Sequence, residues 1–516
     1  MKSLAVTADA NLPPTPPPTN LAGRSLGALK WNYIGALTRI VSQLAIGILL
    51  ARLLGPEPYG LIAVAWLIVG LGNLVADTGM GVALIQKEQI STRDIRYVFT
   101  LQMLAGLTLT LITLIAAPWI SAFFDHPEAS NVLRWMSLLF IIQAFGQTST
   151  ALLRRSLDHK RMQMLQVGSY LTGYLLLGIP LALYGMGVWA LVIGQLAQSG
   201  LYAIAVYANA RHPLTPAFTA EQPGLFKFGS KVLGSNLTSW GISNLDSAII
   251  GRLLGILELG LYNRSMNLLA SPMNAAVSTL QGVLLPMYSR LQNRPDDVRD
   301  TYLATMCLLL IALAPAFAAI AAMPETTVLA VFGQEWRAAA VLIAPLALAM
   351  PVNAMLAMGG PMMQGMGRVG MEAASQGIGL IVMVIVVVVA ASYSLAAVAW
   401  AVLAIYLLRA LLVTRLAAGL VAAPASAFIR VLLGPLVLAA LAGLLTWQAD
   451  LLLSEILPQP ALRFVLALSF SAIITMLTIL AAGRWLFCTE AKKLLLNAQP
   501  HLGSHLGKLV THWSKT

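Results

Sequence analysis

The stretch ILLARLLGPEPYGLIAV, residues 48–64, ends one apolar run and starts the next across a single glycine. Arg52-Leu53-Leu54-Gly55 is followed after four residues by Gly60-Leu61. The pattern returns as Arg252-Leu253-Leu254-Gly255 with Gly260-Leu261, at the same offset (252 less 52) in every position. A guanidinium sits well against the negative end of a helix, and glycine supplies the left-handed cap that stops it. An alternative role for Arg52 and Arg252 is to receive a phosphate at the outer mouth of a cavity. Each copy falls between the first and second helix of a six-helix block, so an even number of spans separates them and the repeats run parallel. Halves related in that way place a transported molecule between them.

Working outward, the 516-residue chain is 58% apolar and only 10% charged, with a mean hydropathy of +0.80. A water-soluble domain of this composition would expose large apolar patches, so most of the chain belongs in lipid. At roughly 20 residues per span, the apolar runs give an all-α polytopic membrane protein of about 14 transmembrane helices. These form two parallel six-helix repeats plus two C-terminal helices, centred near Gln43, Gly72, Gly106, Ile141, Gly173, Leu196, Ser239, Met273, Ile311, Ala349, Val384, Leu403, Leu438 and Ile474. The expected order is a disordered cytosolic tail (1–22), a first bundle (23–210), a cytosolic linker (211–225) and a second bundle (226–420). Helices 13 and 14 (421–488) and a basic cytosolic tail (489–516) complete it. The proline-rich start lacks the apolar core of a signal peptide. Cys307 and Cys488 are too far apart for a metal or redox motif and read as packing residues.

The net charge of +12 would suggest nucleic acid in a soluble protein; here its distribution sets topology, and no nucleic-acid partner is expected. With a cytosolic N-terminus, Arg52, Arg134, Arg252, Arg337 and Arg463 fall outside and Arg39 and Arg264 within spans. Every other one of the 32 Lys and Arg residues then falls on the cytosolic side, so both termini are cytosolic and the number of spans is even.

Charged groups at bilayer depth are costly unless they meet a partner or a watery cavity. Arg39, Asp77, Asp246 and Arg264 qualify, each on a helical row of polar or small residues. The rows are Asn32, Ala36, Arg39, Gln43 and Gly47; Asn73 and Asp77; Asn236, Ser239, Ser243 and Asp246; and Arg264, Asn267, Ser271, Asn274, Ser278 and Gln281. Arg39 and Gln43 align with Ser239 and Ser243 under the repeat offset, so both halves turn polar faces toward a central cavity. A guanidinium can donate two hydrogen bonds at once to phosphate oxygens, which suits Arg39 and Arg264 to a diphosphate. Gln43, Asn267 and Asn274 line the same faces. A carboxylate that changes protonation or binds Na+ is a usual coupling element, a role open to Asp77 and Asp246. Two other readings stand beside these: the uncharged groups bonding neighbouring helices, and the charges pairing as Arg39 with Asp77 and Asp246 with Arg264.

No GxxxxGK[ST] loop is present, which argues against ATP hydrolysis by this chain. Asp296-Asp297, beside Arg294 and Arg299 without a histidine, reads as a solvated turn rather than a metal site. The expected external loops, about 5 to 20 residues, leave little room for the catalytic loop of a glycosyltransferase, polymerase or ligase. Neither an enzyme activity nor a metal or cofactor is expected.

The opening stretch with DTGMGVALIQK (77–87) resembles the polysaccharide transporter family of exopolysaccharide, colanic acid and O-antigen flippases. That family lies in the multidrug/oligosaccharidyl-lipid/polysaccharide exporter superfamily. NLDSAIIGRLLGILELGLYNRSMNLLASP (244–272) and LLPMYSRLQ (284–292) resemble its central signature, and QGMGRVG (364–370) is a shorter match. The resemblance implies a V-shaped bundle in a bacterial inner membrane that moves an undecaprenyl-diphosphate-linked oligosaccharide. It also implies cationic cavity residues for the diphosphate and polysaccharide polymerase machinery as a partner. A lipid II flippase and a cation-coupled multidrug antiporter of the same superfamily are the alternatives. An acidic, aromatic cavity would suit an organic-cation antiporter better than rows carrying two arginines and two aspartates.

Overall fold

The computed structural model describes residues 38–39, 41–77, 81, 84–85, 90–156, 158–219 and 240–498. The expected tail at 1–22 and the helix centre at Ser239 lie outside these. Every regular element among the described residues is helical. Twelve helices are long and apolar enough to cross a membrane. Two shorter ones, α1 (41–54) and α7 (240–253), are each described over only part of the region assigned to them in the sequence.

The chain divides into compact units at Gly260/Leu261. The first contains α1, α2 (Pro56–Asp77), α3 (Thr92–Phe123), α4 (Ala129–Arg155), α5 (Lys160–Leu183), α6 (Val188–Asn209) and α7. A reciprocal capping box starts α3: Ser91 Oγ accepts from the Asp94 amide at 3.1 Å, and the Ser91 amide donates to Asp94 at 3.2 Å. In α5, Pro180 has no N–H and crowds the preceding turn, and the chain relaxes into a π-helix over Leu171–Gly178. Gly173 packs there against α6, where an added Cβ would lie 2.6 Å from the Gly194 carbonyl oxygen. Leu84, Ile95, Val98, Leu152 and Val206 form a buried cluster near the basic end.

The repeated motif has two structural uses. Gly55 (φ 69°) and Gly255 (φ 106°) occupy the left-handed region as helix caps, their amides donating to Ala51 O at 3.1 Å and Ile250 O at 3.2 Å. Five residues on, at Gly60 and Gly260, two backbones cross in contact. A Cβ on Gly60 would strike the carbonyl of Ile256, and one on Gly260 the carbonyl of Pro56. Residue 256 is the repeat equivalent of 56, so the crossing is reciprocal and needs glycine on both sides.

α8 (Ile256–Leu291) begins at the division and continues into the second unit with α9 (Pro295–Ala322), α10 (Ala340–Gly365), α11 (Val369–Ala391), α12 (Leu395–Leu420), α13 (Ala425–Ile456), α14 (Pro460–Leu486) and α15 (Thr489–Ala498). At its centre, α9 packs on α10 and α13. The start of α9 corrects one reading: Asp296 and Asp297 belong to its first turn and not to a loop, because Pro295 opens the helix and acids suit its positive end. Arg299 bonds Asp296 at 2.8 Å. The cysteines, distant in sequence, meet in space: the Cys488 amide donates to Cys307 Sγ at 3.4 Å where α15 docks on α9. Lys493 of α15 also reaches Asp300 at 3.3 Å. Between α9 and α10 lie two short helices, Pro324–Val331 and Gln334–Ala339.

Candidate functional site: polar helix faces at membrane depth

α8 carries the clearest departure from a lipid-facing helix. Leu269, Met273, Val277, Leu284 and Tyr288 are buried on one side, while Asn267, Asn274 and Ser278 are exposed and Ser271 half-buried on another. At 1.5 Å per residue, Asn267 and Asn274 lie about 16 and 27 Å from the start of the helix. Hydrocarbon would leave their amides unsatisfied at a cost of several kcal/mol. A lipid face looks different: on α14 the large exposed side chains of the middle turns are Val465, Leu466, Phe470, Ile473, Met476 and Leu477, with Ser469 the one exposed polar residue among them. Exposed amides at that depth therefore mark a water-accessible surface.

Arg264 stands about two turns into α8 with its guanidinium 5.6 Å from the Phe332 ring, and Phe332 in turn packs on buried Trp336 at 5.2 Å. The Phe332 ring supports the cation by its face. Phe332 was not foreseen, since it belongs to the segment between α9 and α10, far along the chain. Gln281, last in the row, donates to Ala357 O of α10 at 2.7 Å and so ties α8 to its neighbour.

In the first unit, Arg39 donates through Nη1 to Gln166 Oε1 of α5 at 2.9 Å, and Gln43, one turn on, is exposed. Gln166 was also missed, although Gln163, Gln166, Tyr170 and Gly173 repeat at helical spacing. Asp77 ends α2, and its side chain lies outside the described set, as does any pairing it makes with Arg39. Asp246 of α7 is buried and accepts from the Ser247 amide at 2.7 Å; Ser243, one turn earlier, is exposed.

The two arginines of the repeated motif are exposed. Arg252 forms an ion pair with Asp125 in the α3–α4 junction and lies 5.5 Å from the Phe123 ring. This pairing gives Arg252 a structural use beyond the helix cap. Among the described residues, no group of His, Cys, Asp and Glu has the arrangement to hold a metal ion.

A multi-pass helical bundle with polar faces at membrane depth is the architecture of a membrane transporter. Its fold is similar to a solved lipid II flippase MurJ in an inward closed conformation, with a TM-score of 0.65, 13% identity, and 87% of this chain and 98% of that one covered. It is also similar to an inward-facing multidrug resistance MATE transporter of the MOP superfamily, with a TM-score of 0.59, 16% identity, and coverage of 77% and 98%.

Residues 49–341 match the family described as polysaccharide biosynthesis protein, and the chain belongs to that family. The teichuronic acid biosynthesis protein TuaB of Bacillus subtilis (strain 168) is 22% identical over 452 residues, 87% of this chain and 93% of that protein. The succinoglycan biosynthesis transport protein ExoT of Rhizobium meliloti (strain 1021) is 26% identical over 58% of this chain and 61% of its own length. The lipopolysaccharide biosynthesis protein WzxC of Escherichia coli (strain K12) is 21% identical over 61% and 65%.

Proposed function

We propose that this protein is a flippase that moves an undecaprenyl-diphosphate-linked oligosaccharide repeat unit across a bacterial inner membrane by alternating access. It would supply exopolysaccharide, capsule or O-antigen assembly, with both termini in the cytosol and a polymerase acting on the delivered unit. The observation that carries the reading is the exposed polar face of α8 at membrane depth, headed by Arg264 on its aromatic support. A sugar-bearing head group needs such a surface because its hydroxyls and phosphates cannot cross hydrocarbon unsolvated. Arg39 and Arg264 would hold the diphosphate; Gln43, Asn267 and Asn274 would offer hydrogen bonds to the glycan. Asp77 and Asp246 would couple the cycle to an ion.

The test is lipid analysis of a strain lacking the chain. Loss of surface polymer with accumulation of a complete undecaprenyl-diphosphate repeat unit on the cytosolic leaflet is the expected result. Normal polymer without an accumulated intermediate would overturn it. The similarity in fold to MurJ favours lipid II as the second reading, and accumulation of lipid II instead would establish that one.

A further inference from the structure

Arg409 was grouped by position with the cytosolic charges, yet it lies deep in its helix. It is 14 residues from the start of α12 and 11 from the end, which puts it about 21 Å from one end and about 16 Å from the other. Lipid meets another side of this helix: Trp400, Leu407, Leu408 and Leu411 are more than half exposed. At 100° per residue, Arg409 projects away from that stripe, onto the face that carries buried Val402 and Ile405.

There the side chain lies flat on the backbone of α11. A Cβ on Gly379 would come within 2.5 Å of Arg409 Nε and 2.9 Å of its Cδ. Among the described residues, Arg409 has neither a hydrogen-bond nor an ion-pair partner. The carboxylate of Glu372, two turns back on α11, already accepts from Gln364 Nε2 at 2.8 Å and Gln376 Nε2 at 3.1 Å. The guanidinium remains half-buried.

A guanidinium inside a membrane bundle, with the Tyr406 phenol one turn back as its one electrostatic neighbour among the described residues and no carboxylate, costs several kcal/mol. Its five donors, which cannot be silenced by deprotonation, call for an anion with several acceptor oxygens. We propose that Arg409 is an anion-binding residue of the second unit that takes phosphate oxygens of the cargo partway through the membrane. The identity of the occupant rests on the flippase reading. A phospholipid head group offers the same chemistry, but it would have to leave its leaflet by about 16 Å to reach this depth.

The test uses the purified full chain in detergent, following thermal stability against inorganic pyrophosphate and, separately, phosphatidylglycerol at constant ionic strength. Wild type should be stabilised by pyrophosphate, Arg409→Gln should lose at least about ten-fold in apparent affinity, and Arg409→Lys should lose less, consistent with one lost charged hydrogen bond. Gly379→Ala, which retains the guanidinium but displaces it, should weaken binding and keeps the test valid if Arg409→Gln folds poorly. Equal pyrophosphate affinity in wild type, Arg409→Gln and Gly379→Ala would overturn the proposal, as would Arg409-dependent binding of phosphatidylglycerol alone. If the deletion strain accumulates the lipid-linked intermediate while Arg409→Gln restores normal polymer, this proposal fails and the flippase reading stands. Normal polymer in the deletion strain removes that reading instead.

Discussion

Helices α8 and α9 are consecutive in sequence, both interrupted by proline, and opposite in what they do with their surfaces. α9 buries Leu303, Cys307, Leu310, Ile311 and Phe317 and supports α10 and α13. α8 buries one face and exposes amides on another. Apolarity shows that both belong in the membrane; the location of exposed polarity separates a supporting helix from one with a polar surface at membrane depth.

The largest effect is expected at the cations. Arg39→Ala and Arg264→Ala should each lower translocation by at least about ten-fold, the scale of a lost charged hydrogen bond, with abundance and membrane insertion unchanged. Complementation of polymer synthesis, with immunoblotting for protein level, checks this. Full activity in both variants would reduce Gln166 and Phe332 to packing partners of incidental arginines.

On α9 the cost should appear in stability instead. Phe317→Ala or Leu310→Ala, each emptying a buried site, should destabilise by about 3 kcal/mol while transport per folded molecule stays at the wild-type level. Asn267→Leu with Asn274→Leu should do the reverse, with stability unchanged and transport reduced several-fold. If the double leucine variant transports normally, the face of α8 is not the path. Asp77→Asn and Asp246→Asn are expected to change the pH or Na+ dependence of transport rather than its maximum. An unchanged profile would make them structural partners.

Much of the architecture can be read from the sequence because hydropathy and charge are local properties. The Arg-Leu-Leu-Gly repeats also disclosed their glycine caps, since a left-handed residue is a demand of the chain itself. Their second use, the crossing in which Gly60 meets Ile256 and Gly260 meets Pro56, needs both copies in space. The support of Arg39 by Gln166 and of Arg264 by Phe332 was hidden for the same reason. Sorting charges by the nearest loop placed Arg409 with the anchors, because counting residues to a loop does not show which face of the helix a side chain occupies. Asp296-Asp297 illustrates a nearer miss: Pro-Asp-Asp is a helix start as readily as a turn, and the apolar run beyond it decides between them.

The smallest effect is expected at the linker after α6, and it contrasts with the membrane arginines by concerning a group kept neutral. Residues 211–219 are held along α3: Arg96 donates to Thr215 O at 2.9 Å and Pro216 O at 3.0 Å, Arg93 to Thr219 O at 3.2 Å, and the Ala217 amide to Thr100 Oγ1 at 2.9 Å. His212 is buried here, 5.0 Å from the Phe99 ring and 5.4 Å from Tyr207, and its Nε2 has no hydrogen-bond partner among the described residues. Burial holds its pKa below the ordinary imidazole value of 6.5, opposed in part by the Pro213 carbonyl. The folded state therefore resists a proton that the unfolded state accepts. The stabilisation is full above the unfolded value near 6.5 and declines as pH falls below it. Thermal unfolding of the purified protein should show a modest loss of stability between pH 7 and 5, and His212→Phe should flatten that part of the profile. An identical slope in the variant would mean that this histidine titrates alike in both states and that Arg93 and Arg96 of α3, rather than the buried ring, hold the strap.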